Sequence, residues 1–241
     1  MNNADYGRAL VDDLGLDRPP VALAFLDVAP AGVTTAEGLE PSACTFWRQA
    51  EQGVFYVGAE RHLECPIGAM TMGFELPPER APEAEQLVGM MVDLQYFSLE
   101  EVEHLPSVKQ PHRGILYGPL AEFPVQPDVV LMIATPRQGM LLAEASESVA
   151  LRAAPALPTM GRPACAAVAW SANDATVTLS LGCIGARTYV EVPDDRAIVV
   201  LPGTVLDRIA ERLGVLARAN HELASFHARR KAQYAAGAVQ R

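Results

Sequence analysis

Short, uninterrupted apolar runs alternate along the chain with longer stretches in which apolar residues recur at helical spacing. Pro20 to Phe25, Val54 to Val57, Pro127 to Ile133 and Ala175 to Leu179 are runs of strand length, and Gly114 to Leu120 reads as strand and turn. Tyr6 to Leu14 has helical periodicity and stops at Gly15. Cys44 to Glu51 reads as one or two helical turns closed by Gly53. Pro82 to Ser98 carries Leu87, Met90, Met91 and Leu94 at helical intervals, and Ser98 followed by Glu100 and Glu101 has the form of a capped helix start. Ile198 to Gly203 leads into a long helix expected over about 204–236. Ala166 to Trp170 is too uniformly apolar to separate helix from strand. Strands interleaved with helices predict an α/β or α+β fold with mixed sheets and flanking helices.

Two stretches of this pattern resemble each other. Cys65-Pro66-Ile67-Gly68-Ala69 and Cys183-Ile184-Gly185-Ala186 are nearly the same phrase, each preceded by another cysteine, Cys44 and Cys165. The order strand, Pro-containing turn, cysteine, apolar run, cysteine phrase occurs twice, over about 17–80 and 124–196. A helical insert over about 82–110 lies between them, and no Pro/Ser-rich linker divides the chain, so one compact body is expected. Two repeats meeting face to face would bring all four cysteines to one pocket. Cys44 would then stand near a helix N-terminus, where the helix dipole favours thiolate. Gly68 and Gly185 would let the backbone approach an anion or a cluster sulfur closely.

Composition narrows the chemistry. The chain has 241 residues, half of them hydrophobic, which is enough for a substantial core. Its apolar stretches fall short of the ~20 residues needed to cross a bilayer, and Met1 to Asp5 has no signal-like character, so a cytoplasmic protein without a membrane partner is expected. In a reducing compartment four cysteines point to metal, cluster or thiol chemistry before cross-links. A net charge of -10 argues against nucleic acid. The basic patch Arg229-Arg230-Lys231 reads as a solvated helix end.

Pro20-Val21-Ala22, Cys44, Cys65-Pro66-x-Gly68-Ala69 with Gly73, Tyr117-Gly118-Pro119-Leu120, Pro127-Asp128-Val129-Val130, Pro136-x-Gln138-x-Met140, Cys165, and Cys183-x-Gly185-x-Arg187 with Pro202 follow one another in an order that resembles the prokaryotic family named domain of unknown function 169. The resemblance spans almost the whole chain. It implies cysteines at all four positions as family features, which fits an iron–sulfur cluster, and it implies no particular activity.

Widely spaced thiolates from separate loops suit an iron–sulfur cluster, [4Fe–4S] being favoured, with Cys44, Cys65, Cys165 and Cys183 as ligands. Zinc is an alternative, although Cys-x2-Cys knuckles are absent. A redox thiol pair and four separately buried cysteines are the others. His62, three residues before Cys65, and Arg187, four after Cys183, are candidate catalytic residues. Gly68, Gly185 and Trp47 are candidates for holding the cofactor, with Arg48 beside Trp47. Arg187 also reads as a surface arginine paired with Glu191 or Asp194. Met70, Met72, Met90 and Met91 read as core. Phosphate-binding Gly-Lys loops, dinucleotide fingerprints, His-Glu-x-x-His and Gly-x-Ser-x-Gly are missing. The expectation is an iron–sulfur protein in redox or cluster-assisted small-molecule chemistry, an oxidoreductase or cluster-dependent lyase or transferase. Its partner would be a small-molecule substrate or a redox protein, with a homo-oligomer left open. A non-catalytic ligand or redox sensor and a structural zinc protein are the rival readings.

Overall fold

The apolar runs become neighbouring strands of one sheet. The structure, a computed structural model, describes residues 1–147, 159–160 and 162–235. Its strands are β1 (Val21–Leu26), β2 (Thr34–Thr35), β3 (Phe55–Gly58), β4 (Gly114–Pro119), β5 (Val129–Ala134), β6 (Thr159–Met160), β7 (Thr178–Ser180) and β8 (Ala197–Pro202). They lie in the order β2-β3-β4-β1-β5-β8-β7-β6. The outermost pairs, β2 with β3 and β6 with β7, are parallel, and all others are antiparallel. The fold is therefore mixed α/β, built on one continuous sheet where several were expected.

That order reads the same from either end when β1 is exchanged with β5, β2 with β6, β3 with β7 and β4 with β8. The register obeys the same exchange. At the centre Val21 faces Leu131 and Leu23 faces Val129, so the β1–β5 pairing maps onto itself. Val21 pairs with Pro119 as Val129 pairs with Pro202. The Pro20 carbonyl accepts the Leu120 amide at 2.8 Å, and the Asp128 carbonyl accepts the Gly203 amide at 2.8 Å. Repeat boundaries drawn near 80 and 196 leave out β4 and β8, which the sheet order assigns one to each half. The helical insert separates β4 in sequence from the rest of its half. Residues 148–158 and 161, within the second stretch, and position 236 at the expected helix end lie outside the described residues.

Nearly every strand residue is buried, which is why the strands read as unbroken apolar runs. Alternate side chains divide between two cores. On the back face Ala22, Leu116, Val130, Met132, Val199 and Leu201 pack under α1 (Asn3–Leu14), α6 (Pro136–Ala145) and the start of α9 (Leu206–Ala235). Both shorter back helices open with capping boxes, Asn2 with Asp5 and Thr135 with Gln138. Gln138 also donates through Nε2 to the carbonyls of Leu14 and Gly15, tying α6 to the left-handed C-cap of α1. The Pro136-Arg137-Gln138 segment is thus a helix start and its cap. Beyond Leu213, α9 has no buried residue in its described length.

On the front face Leu23, Phe25, Ile115, Tyr117, Leu131, Ile133, Ile198 and Val200 pack under α2 (Thr45–Gln49), α3 (Pro66–Thr71), α7 (Ala166–Asp174) and α8 (Ile184–Tyr189). Ala166 to Trp170, undecided from sequence, is helical. The insert forms α4 (Ala81–Asp93) and α5 (Leu99–Glu103), the second capped by Ser98 and Glu101 as its sequence predicts. Neither insert helix has a buried residue; the insert reaches the body through its non-helical parts, where Phe97 is buried and Val108 joins the front core. Asp128, at the entry to β5, accepts the Phe25 amide at 2.7 Å and stitches the two central strands.

Candidate functional site

Each of the four cysteines is the N-cap of a front-face helix: Cys44 of α2, Cys65 of α3, Cys165 of α7 and Cys183 of α8. Under the exchange that maps one half of the sheet onto the other, Cys44 corresponds to Cys165 and Cys65 to Cys183. Cys44 and Cys165 sit in helical backbone, whereas Cys65 and Cys183 have extended or irregular backbone that turns into the helix. All four line one cavity of about 370 Å³ on the front face.

The cavity is mainly apolar. Trp47, Ile67, Met72, Leu87, Met91 and Phe97 contribute to its wall. Burial pushes the Cys44 thiol up to about 12, against a hydrogen bond with Ser42 Oγ at 3.1 Å that pulls the other way. Cys165 is only half-buried as a residue, but enclosure of its thiol holds it well above the usual range, with the other three cysteines adding to that effect and Thr71 opposing it. The thiols are therefore close enough to feel one another's charge. Thr71 belongs to α3 and donates its hydroxyl to the Ile67 carbonyl at 2.7 Å, while Cys165 caps α7, so the influence of Thr71 on Cys165 crosses between the halves. Cys183 Sγ accepts the Ala186 amide at 3.5 Å.

The two glycine phrases differ in register. Pro66 occupies the first position of α3, whereas Ile184 occupies the first position of α8, so one extra residue turns the Ile-Gly-Ala phrase by about 100° around the helix. Ile67 is consequently buried and Ile184 is exposed. A Cβ on Gly68 would stand 2.9 Å from Cys65 Sγ and 3.1 Å from the Ala43 Cβ, while one on Gly185 would be 3.8 Å from Cys183 Sγ. Gly68 is needed for the close approach; Gly185 is not.

Gly68, Gly185 and Trp47 all line the cavity with the cysteines. His62 and Arg187 do not. His62 is fully buried beneath the site: its Nδ1 donates to the Gly58 carbonyl at 3.0 Å, which leaves Nε2 to accept the Tyr117 hydroxyl at 3.0 Å. Desolvation lowers its pKa to about 4, so it is a neutral core histidine packed against Phe46 and Phe74. Arg187 donates to the carbonyls of Leu181, Val192 and Pro193 and lies 3.6 Å from Asp194, fastening the α8 loop. Arg48 pairs with Glu191 away from the wall. Of the four methionines read as core, Met72 is buried, Met70 and Met90 are exposed, and Met91 lines the cavity.

The model of one protein family, described as uncharacterised ArCR, matches residues 9–212. The chain belongs to the DUF169 family. The span matched to DUF169 contains both halves of the sheet and all four cysteines, and ends near the last buried turn of α9. An uncharacterized protein of Methanocaldococcus jannaschii, MJ0308, is 28% identical over 235 residues, covering 87% of this chain and 92% of its own length. No solved structure matches. Among the described residues no helix of this DUF169 chain is long and apolar enough to cross a membrane.

Sequence reading missed the part of the wall supplied by Tyr96, Phe97, Arg162 and Tyr189. Leu87 and Met91 were visible as an apolar stripe, with Tyr96-Phe97 just beyond it. Nothing in that spacing says that the stripe turns towards the cysteines.

Proposed function

We propose that the cavity holds an iron–sulfur cluster, [4Fe–4S] in the first instance, with Cys44, Cys65, Cys165 and Cys183 as ligands. The observation that carries this reading is the convergence of every cysteine in the chain, from four separate helix starts, on one apolar cavity. Soft thiolates in a dry site are the donor set an iron–sulfur cluster requires. Buried thiols such as Cys44 and Cys165 are poor nucleophiles while protonated, which counts against a redox pair built on them; metal ligation is the interaction that draws such protons off.

The absence of Cys-x2-Cys knuckles counts against a structural zinc site. Zn–S bonds of about 2.3 Å require tetrahedral sulfurs roughly 3.8 Å apart. Among the described residues no group of three or more His, Cys, Asp or Glu side chains is placed to hold a metal ion. When bound, such a group supplies electron transfer or, at an open iron, Lewis-acid activation. The chain's own contribution is to exclude water through Trp47, Leu87, Met91 and Phe97, and to keep space beside the thiols for a small molecule. The function we favour is redox or cluster-assisted chemistry on that molecule in a cytoplasmic protein; a sensor would use the same pocket.

Anaerobic purification followed by visible absorption and iron, sulfide and zinc analysis tests this. About four irons and four sulfides per chain are expected, lost on Cys→Ser substitution at a ligand position. Stoichiometric zinc without sulfide would replace the cluster with a structural zinc site. Absence of both metals under strictly anaerobic preparation would end the metal reading.

A further inference from the structure

The cavity also carries one cation with no carboxylate in salt-bridge contact among the described residues. Arg162 is exposed at its wall, with its guanidinium carbon 4.6 Å from the centroid of the Tyr96 ring and 5.3 Å from that of Phe97. Stacking on two rings fixes the plane of the guanidinium while leaving its edge, the side that donates in pairs to an anion, free of any hydrogen bond or ion pair within the described chain. The acidic groups nearby are otherwise engaged. Glu64, also on the wall, is paired with Arg80 at 3.0 Å, and Glu101, which feels the charge of Arg162, accepts the Ser98 amide at 2.8 Å in its capping box. Tyr96 in turn lies beside Cys183 and the Ile184 backbone, so the aromatic platform connects the insert to the second half of the cysteine site.

We propose that this cavity binds a small organic carboxylate with an apolar or aromatic body, its carboxylate on Arg162 and its body against Tyr96, Phe97, Leu87 and Met91. The proposal deepens the reading of the cavity as a small-molecule site and does not depend on the cluster. An apolar pocket with one placed cation orients such a ligand by its charged end, leaving the other end directed towards the thiols. Neutral molecules of the same shape would gain only the apolar burial.

Equilibrium dialysis with 1-naphthoate and its neutral analogue 1-naphthalenemethanol tests the assignment, in anaerobically purified protein and in a Cys44→Ser/Cys165→Ser variant lacking half the thiols. Naphthoate should bind about tenfold or more tightly than the alcohol, the discrimination expected of a charge-assisted hydrogen-bonded pair. Arg162→Gln should abolish the preference, bringing naphthoate down to the affinity of the alcohol in the same variant, and Arg162→Lys should keep part of it. Equal binding of the two probes to wild-type protein, or a preference that survives in Arg162→Gln, would overturn the proposal. A preference found in protein that contains neither iron nor sulfide would leave the carboxylate site standing while the cluster reading failed. Cluster-bearing protein without the preference would overturn the carboxylate site and leave the cluster standing.

Discussion

On the back of the sheet, α1 and α6 run twelve and ten residues, begin with reciprocal capping boxes and bury leucines against an apolar strand face. On the front, the four helices that begin at cysteines run five to nine residues, and at Cys44, Cys65 and Cys165 no side-chain hydrogen bond caps the helix. The back face leaves a cleft of about 380 Å³ where α1, α6 and α9 meet, lined by Asp13, Thr135, Arg137 and Asn220, whereas the front face leaves a mainly apolar cavity between two matching pairs of helix starts. The same sheet thus supports a layer that contributes stability and a layer that presents chemistry. Short helices held by packing, with their cap positions given to thiols, forgo the local stability that a capping side chain would add.

Changes on the two faces should therefore separate stability from the site. The largest loss is expected from Leu213→Ala, which empties the contact of α9 with the back core; denaturant unfolding should show about 2–5 kcal/mol of destabilisation with the cysteine site's metal content unchanged in the folded fraction. A comparable effect is expected from pH acting on the front core. His62 has a folded pKa of about 4 against an ordinary 6.5. The unfolded chain binds the proton first, so stability is complete above pH 6.5 and falls progressively as pH drops towards 4. The loss is about 3 kcal/mol. Urea titrations across that range should show the slope, and a His62→Leu/Tyr117→Phe variant should lack it; an unchanged slope would show that other groups titrate instead.

Smaller effects refine the contrast. Thr135→Ala removes the side-chain half of the α6 capping box and should cost about 1 kcal/mol in the same assay, with no effect at the cysteines. The smallest change in stability is expected within the front face, from Gly68→Ala. Helix propensity favours alanine by up to about 1 kcal/mol, which offsets crowding at Cys65 and Ala43, so the midpoint should stay within about 1 kcal/mol of wild type. Metal binding should nevertheless fall, because Cys65 Sγ must move. Gly185→Ala, with ordinary contact distances, should leave both properties intact. Equal metal loss in both variants would show that the two phrases are equivalent after all.

Much of the fold was legible because both faces of the sheet are covered: β1, β3, β4, β5 and β8 each appear as largely apolar runs, Gly15 marks the end of α1 by its left-handed backbone, and Ser98 marks the start of α5 by its side-chain cap. β2 was not legible, since Thr34–Thr35 is exposed and owes its strand character to a neighbour, β3, that it pairs with only through the backbone. His62 was misplaced for a related reason. A histidine three residues from a cysteine looks the same whether it points into a cavity or, through its hydrogen bonds with Gly58 and Tyr117, into the core beneath it.

By itself the sequence determined the mixed α/β class, the stop of α1 at Gly15 and the start of α5 at Ser98, and the four cysteines in two like settings, because these depend on local periodicity, capping and residue chemistry. Only the tertiary structure decided that the strand order is symmetric about β1 and β5, that the four cysteines share one cavity, and that Tyr96, Phe97 and Arg162 form part of its wall. Those are relations between residues far apart in the chain. They are fixed by which apolar faces bury one another, and no local spacing records that choice.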